Sequence, residues 1–158
     1  LDALSPLTVT LGVQNVSFVA QAVDWIPESL FQILTAAYRH RGFSFVRILQ
    51  RCPEFVGNMF EPWVHDPQRM LMLTHADGIR VSPALQKIYR NQLPHDPADI
   101  NRAREIASSE DPIPVGILYR NPEVPCYEDL RGAGKLRTAD QVRGALDAEL
   151  DKFTVWPQ

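Results

Sequence analysis

The chain has 158 residues, enough for one domain with a hydrophobic core, and its 45% hydrophobic and 22% charged residues are ordinary for a globular protein. A net charge of -3 gives no reason to expect nucleic acid or an anionic membrane surface as a partner. No apolar run approaches the roughly 18 residues of a membrane span, no signal-peptide pattern opens the chain, and two cysteines do not make a disulfide framework, so we expect a cytoplasmic protein.

A β-α-β unit over residues 16–50 is the best-defined part of the sequence. Residues 16–23 have the composition of a strand, and apolar residues then recur at helical spacing. The apolar run within residues 43–49 predicts a second strand, buried on both faces as in a parallel sheet. A short helix that begins at Pro6 and ends at Gly12 is expected before this unit.

Capping residues place the helix of this unit between Asp24 and Gly42. Asp24 is a candidate N-cap, and Pro27 is tolerated in the first turn. His40 is interpreted as a cation near the helix C-terminus, and Gly42 as the C-cap.

The rest of the chain is rich in proline and is predicted to be ordered but irregular, because most of the thirteen prolines follow Cys52. It still contains patterns of regular structure. The expected elements are strands at 70–73 and 79–81 around a turn at 76–78, a helical turn at 83–89, a helix capped by Asp96 and ending near 109, a strand at 115–119, a flexible turn at 132–135, and a final helix capped by Thr138.

Cys52 follows the second predicted strand, and the functional interpretation depends on it. In α/β proteins ligands bind outside the carboxyl ends of strands. The residues alone leave three interpretations open: a small core hydrophobe, a nucleophile, or a metal ligand. The only other cysteine is Cys126, so these residues alone cannot build a four-cysteine site. Arg47 and Arg51 either pair with acids or favour the thiolate form of Cys52.

Other polar motifs carry weaker signals. No spacing links a histidine to Cys52 or builds a metal motif, and the turn at 132–135 lacks the spacing of a phosphate loop. The histidines are His40, His65, His75 and His95, and the acidic pairs interpreted as solvated faces or caps are Glu110-Asp111 and Glu128-Asp129.

Several of these stretches together resemble the thiamine-diphosphate-binding β subunit of 2-oxoacid:ferredoxin oxidoreductases. Residues 16–21 (VSFVAQ) are similar to the family's ATFVAR, residues 38–42 (YRHRG) to a helix ending in H-K-G, and residues 44–53 (SFVRILQRCP) to SFVEILQ-x-C-P. Residues 112–119 and 125–129 resemble a second family segment near its C-terminus. The resemblance covers nearly the whole chain, and the middle looks more like the 2-oxoglutarate branch than the pyruvate branch.

The resemblance implies an α/β fold, the C-terminal part of a thiamine-diphosphate-binding fold with a largely parallel sheet flanked by helices. We expect residues 1–158 to form a single α/β unit, with a proline-rich extension over 53–158. Cys52 is implied to be the last of four cysteine ligands to a 4Fe-4S cluster beside thiamine diphosphate and Mg²⁺. The other ligands, the Gly-Asp-Gly motif and the substrate loop belong to the family's N-terminal half, so no catalytic residue is assigned here. Cys126 replaces a family threonine and receives no ligand role.

The implied activity is CoA-dependent oxidative decarboxylation of a 2-oxoacid, with 2-oxoglutarate favoured, to acyl-CoA and CO2. Electrons would pass through the cluster to ferredoxin. The implied partners are an α subunit in a hetero-oligomer, ferredoxin, coenzyme A and the 2-oxoacid. The alternative, from a different class, is a non-catalytic α/β interaction module in which Cys52 is a core residue.

Overall fold

The structure is a computed structural model, and it describes residues 4–55, 57–76, 79, 82–109, 111–132 and 138–153. These residues form five strands, seven α-helices and one 3-10 helix. In chain order the elements are α1 (Pro6–Leu11), β1 (Phe18–Val23), α2 (Pro27–Arg39), β2 (Ser44–Leu49), α3 (Glu61–Val64), the 3-10 helix (Pro67–Arg69), β3 (Met70–Thr74), α4 (Pro83–Ile88), β4 (Gln92–Pro94), α5 (Ile100–Ala107), β5 (Ile113–Arg120), α6 (Tyr127–Leu130) and α7 (Ala139–Asp151).

The five strands form one sheet in the order β2-β1-β5-β3-β4. Three of the four pairings are parallel, and β1 with β5 is the antiparallel one. The largely parallel sheet predicted from the sequence is therefore confirmed. Because β1 and β2 run opposite to the other three strands, the carboxyl ends of the two blocks lie at opposite edges of the sheet.

Helices cover both faces of the sheet, and alternation along β1 shows how. Phe18 and Ala20 pack in one hydrophobic cluster with Ile33 of α2, whereas Val19 packs in a second cluster with residues of α1 and α5. Successive residues of a strand point to opposite faces. The sheet is thus the middle layer, with α2 on one side and α1 and α5 on the other.

The predicted β-α-β unit is confirmed, but the burial expected for its second strand is wrong. β1 and β2 pair in parallel from Phe18 with Ser44 to Val23 with Leu49. All six residues of β1 are buried. β2 is the outermost strand of the sheet beside β1. Five of its six residues are partly or largely exposed, and Ile48 is 44% exposed. Its apolar run predicts a strand in the middle of a sheet, buried on both faces. In the described part of the chain, β2 instead pairs with one strand only.

The caps predicted for α2 are also wrong. Ile26 is the N-cap residue and makes no side-chain capping bond, while Pro27 is the first helical residue as expected. Asp24 binds the end of β2 instead. The C-cap is His40, two residues before Gly42. Gly42 adopts a φ of +133° in the turn into β2. That φ is in the region that glycine tolerates and other residues avoid.

For α5, Asp99 is the cap and the predicted cap Asp96 is not. The Asp99 carboxylate accepts hydrogen bonds from the backbone N–H groups of Asn101 and Arg102. Asp96 accepts one from Ala98 in the turn before the helix. Both aspartates have the right chemistry for an N-cap, and the nearer one takes the position.

The remaining predictions divide between confirmed elements and residues that lie outside the description. α1, β3, α4, β5 and α7 are found near their predicted positions, whereas α3, α6 and the short strand β4 were not predicted. The predicted turn at 76–78, the strand at 79–81, the turn at 132–135 and the acidic pair 110–111 each include residues outside the described set.

The chain divides into two compact units, Leu1–Pro125 and Cys126–Gln158. The first contains the whole sheet. The second contains α6 and α7, and Thr138 caps α7 through a capping box with Gln141, as predicted from the sequence. The organisation of residues 1–158 as a single unit stays a prediction.

Replacing Gly116 with alanine should destabilise the sheet. Gly116 in β5 has a φ of +140°, and a Cβ there would lie 2.8 Å from Cβ of Leu73 in β3. Backbone strain and overpacking together should lower the free energy of unfolding by about 2–4 kcal/mol, measured by chemical denaturation. The matched control is Gly144→Ala in α7, where a Cβ meets no atom within 4 Å. Equal stability of the two variants would contradict the close packing of β5 on β3.

Candidate functional site

Cys52 lies just beyond the carboxyl end of β2, where the sequence placed it. Its backbone N–H donates to the carbonyl of Gln50 at 3.0 Å, which turns the chain away from the sheet. Cys52 is half-buried with a free thiol, and it is outside both hydrophobic clusters. The thiol is therefore at the sheet edge and not in the core, which removes support from its interpretation as a core residue.

Asp24 fixes the residue that precedes Cys52. One carboxylate oxygen of Asp24 accepts from the backbone N–H of Arg51 at 3.1 Å, and the other accepts from its Nε at 3.0 Å. The backbone N–H of Asp24 in turn donates to the carbonyl of Leu49 at 3.0 Å. The ends of β1 and β2 are thus joined by three hydrogen bonds immediately before Cys52. Of the two roles considered for Arg51, pairing with an acid is the one observed.

An aromatic row extends from this point along the same edge. The Arg51 guanidinium lies 5.8 Å from the ring centroid of Trp25. The Trp25 ring lies 5.7 Å from Phe60, and Phe60 lies 6.2 Å from Trp63. These rings pack the irregular stretch that follows Cys52 against the end of β1.

A second arginine–aspartate pair closes the row at its far end. Arg69 stacks on Trp63 at 4.7 Å and contacts both carboxylate oxygens of Asp111, at 2.6 Å from its Nη2 at the closest point. The Trp63 indole N–H also donates to Asp111 at 3.3 Å. The Arg69 hydrogen bonds hold the pKa of Asp111 below its ordinary value, and the same pairing raises the pKa of Arg69. Arg69 was not predicted as a site residue, and no local sequence pattern joins it to Asp111.

Cys52 is the one cysteine at this edge of the sheet among the described residues, so it offers a single thiolate to a metal ion. The described residues contain no group of three or more His, Cys, Asp or Glu side chains that could hold a metal ion. Within the same residues no hydrogen bond joins the thiol to a histidine, so no nucleophile–base pair is formed there. The donor set fits a cluster only if further thiolates come from outside these residues.

The histidines fall elsewhere. His40, His75 and His95 line one cavity at the opposite edge of the sheet, and His65 is the exposed C-cap residue of α3. Burial, and then the positive charge of Arg120, lower the pKa of His40. His40 is the C-cap residue of α2, so its predicted place at the helix C-terminus is confirmed, whereas its lowered pKa disfavours the positive charge predicted for it.

Cys126 is the buried N-cap residue of α6 in the second unit. Its thiol donates to the Asp129 carboxylate at 2.9 Å. This local hydrogen bond gives Asp129 of the acidic pair a partner at the start of α6, and the absence of a ligand role for Cys126 stays a prediction.

Comparison with known proteins shows that this α/β chain is similar to subunits of oxidoreductases. Residues 84–134 match the family model for the C terminal of the pyruvate ferredoxin oxidoreductase beta subunit. The chain is thus similar to the C-terminal part of the β subunits of 2-oxoacid:ferredoxin oxidoreductases, as the sequence motifs predicted.

Individual relatives agree with this assignment. The chain is 26% identical over 133 residues to 2-oxoacid:ferredoxin oxidoreductase subunit beta of Sulfolobus sp, which covers 81% of the chain and 39% of the relative. It is 27% identical over 132 residues to 2-oxoacid:ferredoxin oxidoreductase 2, subunit beta, of Aeropyrum pernix, covering 81% and 38%. It is 32% identical over 77 residues to 2-oxoglutarate oxidoreductase subunit KorB of Mycobacterium tuberculosis, covering 48% and 20%. The chain therefore spans about two fifths of the length of the first two relatives.

Among the helices that the structure describes, none has the length and apolar character to cross a membrane.

The Asp24→Asn substitution should loosen the segment that carries Cys52. It removes the charge and one acceptor from a partly exposed pair, so the local cost should be about 1 kcal/mol. We expect exchange of the Arg51 backbone N–H to accelerate about fivefold, measured by hydrogen exchange. The control is Glu149→Gln, which breaks the exposed pair with Lys152 in α7. Unchanged exchange at Arg51 in the Asp24 variant would show that the carboxylate does not hold this segment.

The pairing of Arg69 with Asp111 should make the stability of the protein depend on pH in the acidic range. Because the folded-state pKa of Asp111 is lowered, its contribution to stability is present above the ordinary value of 3.8 and is lost as the pH falls through the folded value. Arg69→Gln should return the carboxyl pKa toward its ordinary value, as followed by carbon NMR titration. Arg102→Gln, which breaks an exposed pair within α5, should leave the titration of Asp111 unchanged.

Proposed function

We propose that this chain is the C-terminal part of the β subunit of a 2-oxoacid:ferredoxin oxidoreductase. The similarity to such β subunits over 81% of the chain carries this proposal. It is supported by Cys52, a free and half-buried thiol just past the carboxyl end of a parallel strand. The activity is CoA-dependent oxidative decarboxylation of a 2-oxoacid to acyl-CoA and CO2. The cytoplasm remains the expected compartment.

In this proposal Cys52 supplies one thiolate to a 4Fe-4S cluster. A cluster of this type takes four cysteine thiolates, and the present residues offer one at this edge. The remaining ligands are assigned to another part of the subunit. The rigid join between Asp24 and Arg51 favours this role, because a ligand needs a fixed backbone to hold a metal centre in one geometry.

Thiamine diphosphate with Mg²⁺ is the second proposed cofactor, and when bound it supplies the electron sink for decarboxylation. None of the described residues is assigned to it. The proposed partners are an α subunit in a hetero-oligomer, ferredoxin as electron acceptor, and coenzyme A as acyl acceptor.

2-Oxoglutarate is the favoured substrate. The support is the match to the 2-oxoglutarate oxidoreductase subunit KorB over 77 residues. The other relatives are named only for 2-oxoacids. Comparing turnover of 2-oxoglutarate with that of pyruvate by the assembled enzyme, with reduction of ferredoxin as the readout, tests this choice directly. Faster turnover of pyruvate would overturn it.

Cys52→Ser should abolish the cluster in the full-length subunit prepared without oxygen together with its partner. The unmodified protein should be brown, with broad visible absorbance and bound iron and sulfide. The variant should lose the colour and most of the iron, because serine is a poor ligand to this class of cluster. Absorbance, iron content and electron paramagnetic resonance of the reduced protein measure the outcome.

The chain supplies a matched control in Cys126→Ser. Cys126 bonds to Asp129 within the second unit, so this variant should stay brown with unchanged iron. Retention of colour and iron in the Cys52 variant would refute the ligand role and favour the non-catalytic interaction module. Circular dichroism of both variants separates loss of the cluster from loss of the fold.

A further inference from the structure

A cavity of about 1420 Å³ opens at the edge of the sheet opposite Cys52. The last residues of β3, β4 and β5, which are Thr74, Pro94 and Arg120, all line it. The general rule for α/β sheets places ligands outside the carboxyl ends of parallel strands. This sheet has two such places, because the carboxyl ends of β5, β3 and β4 lie at the edge opposite to those of β1 and β2. The volume exceeds the roughly 300–1,000 Å³ of ordinary small-molecule pockets.

Three of the described residues that line this cavity are arginines. They are Arg39 at the end of α2, Arg41 just after it and Arg120 at the end of β5, and Asp96 is the one carboxylate among the described lining residues. The positive charge of Arg120 acts inside the cavity wall, where it contributes to the lowered pKa of His40. Guanidinium groups are the side chains best suited to hold carboxylates or phosphates through paired hydrogen bonds.

His95 adds a buried ring nitrogen that has no hydrogen-bond partner among the described residues. Its side chain is 7% exposed and lines the cavity. Its Nε2 lies 2.5 Å from the carbonyl of Leu118, so this nitrogen carries the proton and donates. In the neutral ring its Nδ1 is then an acceptor, and it has no hydrogen-bond partner among the described residues. Buried polar atoms are nearly always partnered in native proteins, so we expect a partner for this nitrogen from outside the described residues.

The framework around these groups is rigid. The backbone N–H of His95 donates to the carbonyl of Thr74 at 2.9 Å, and that of Arg120 donates to the carbonyl of Pro97 at 2.8 Å. Phe31 and Ile117 supply apolar surface to the same cavity. A ligand that fits would combine an anionic group, an apolar body, and an N–H or O–H donor.

We propose that this cavity is a second ligand site, separate from the Cys52 edge, which binds a small organic anion. Arg39 and Arg120 hold its carboxylate or phosphate group, and His95 accepts a hydrogen bond from its body. The site does not depend on the proposed oxidoreductase function, because none of its residues is at the Cys52 edge.

Binding of simple anions to the 158-residue chain tests this proposal. Pyrophosphate and succinate are titrated separately, with the ring signals of His40 and His95 followed by NMR. We expect saturable shifts with at least one of the two, and the better probe identifies phosphate or carboxylate as the preferred group. Sodium chloride at equal ionic strength is the control for screening. If neither probe gives a saturable shift beyond that of the salt, the proposal is overturned.

Two variants locate the binding. Arg39→Gln removes an exposed guanidinium at the end of α2 and should weaken the better probe about tenfold, as expected for a charged hydrogen bond. Arg120→Gln should do the same and provides a second, independent variant. Arg90→Gln is the matched control, since Arg90 is an exposed arginine that does not line the cavity. Unchanged affinity in both cavity variants would overturn the assignment, whatever the probes show.

Discussion

The antiparallel pairing of β1 with β5 is the contact on which the rest of the structure depends. It joins two blocks of parallel strands that run in opposite directions. Both strands are buried along nearly their whole length, and the buried Gln21 side chain of β1 donates to the carbonyl of Pro114 in β5 at 2.7 Å. A buried amide with such a bond fixes one register, because a slip would leave it unpaired in the core. The position of every other strand follows from this junction.

The reversal at that junction has a functional consequence, because a sheet of this kind has two edges at which strands end. At one edge the ends of β1 and β2 carry Cys52, and two arginine–aspartate pairs with a row of aromatic rings brace the backbone there. At the other edge the ends of β3, β4 and β5 line a cavity whose described wall includes three arginines. At the first edge, hydrogen bonds fix the backbone next to one thiol. At the second edge, the strand ends leave an open cavity. The two proposed ligand sites therefore lie at opposite edges of the sheet.

The sequence was sufficient for the parts of the fold governed by local pattern. The β-α-β unit, the strand β5 and the capping box at Thr138 follow from composition and spacing, and the position of Cys52 after β2 followed from the same unit. What failed depended on neighbours distant in the chain. The apolar run of β2 cannot reveal that it has one strand partner among the described residues, and Asp24 was assigned to the nearest helix although Arg51 holds it. The pairing of Arg69 with Asp111 spans 42 residues, and no periodicity connects them. The cavity escaped prediction because its histidines and arginines come from separate elements.

The aromatic row gives the stretch after Cys52 an order that its lack of regular structure does not suggest. Residues 57–69 contain one short α-helix and one turn of 3-10 helix, so few backbone hydrogen bonds hold them. Phe60, Trp63 and Arg69 instead attach them to the end of β1 and to the start of β5. In the language of hydrogen exchange, such a stretch opens as one cooperative unit and not residue by residue. Loss of the contact at one end then raises the rate at which the whole unit opens, and with it the exposure of Cys52 to oxidants.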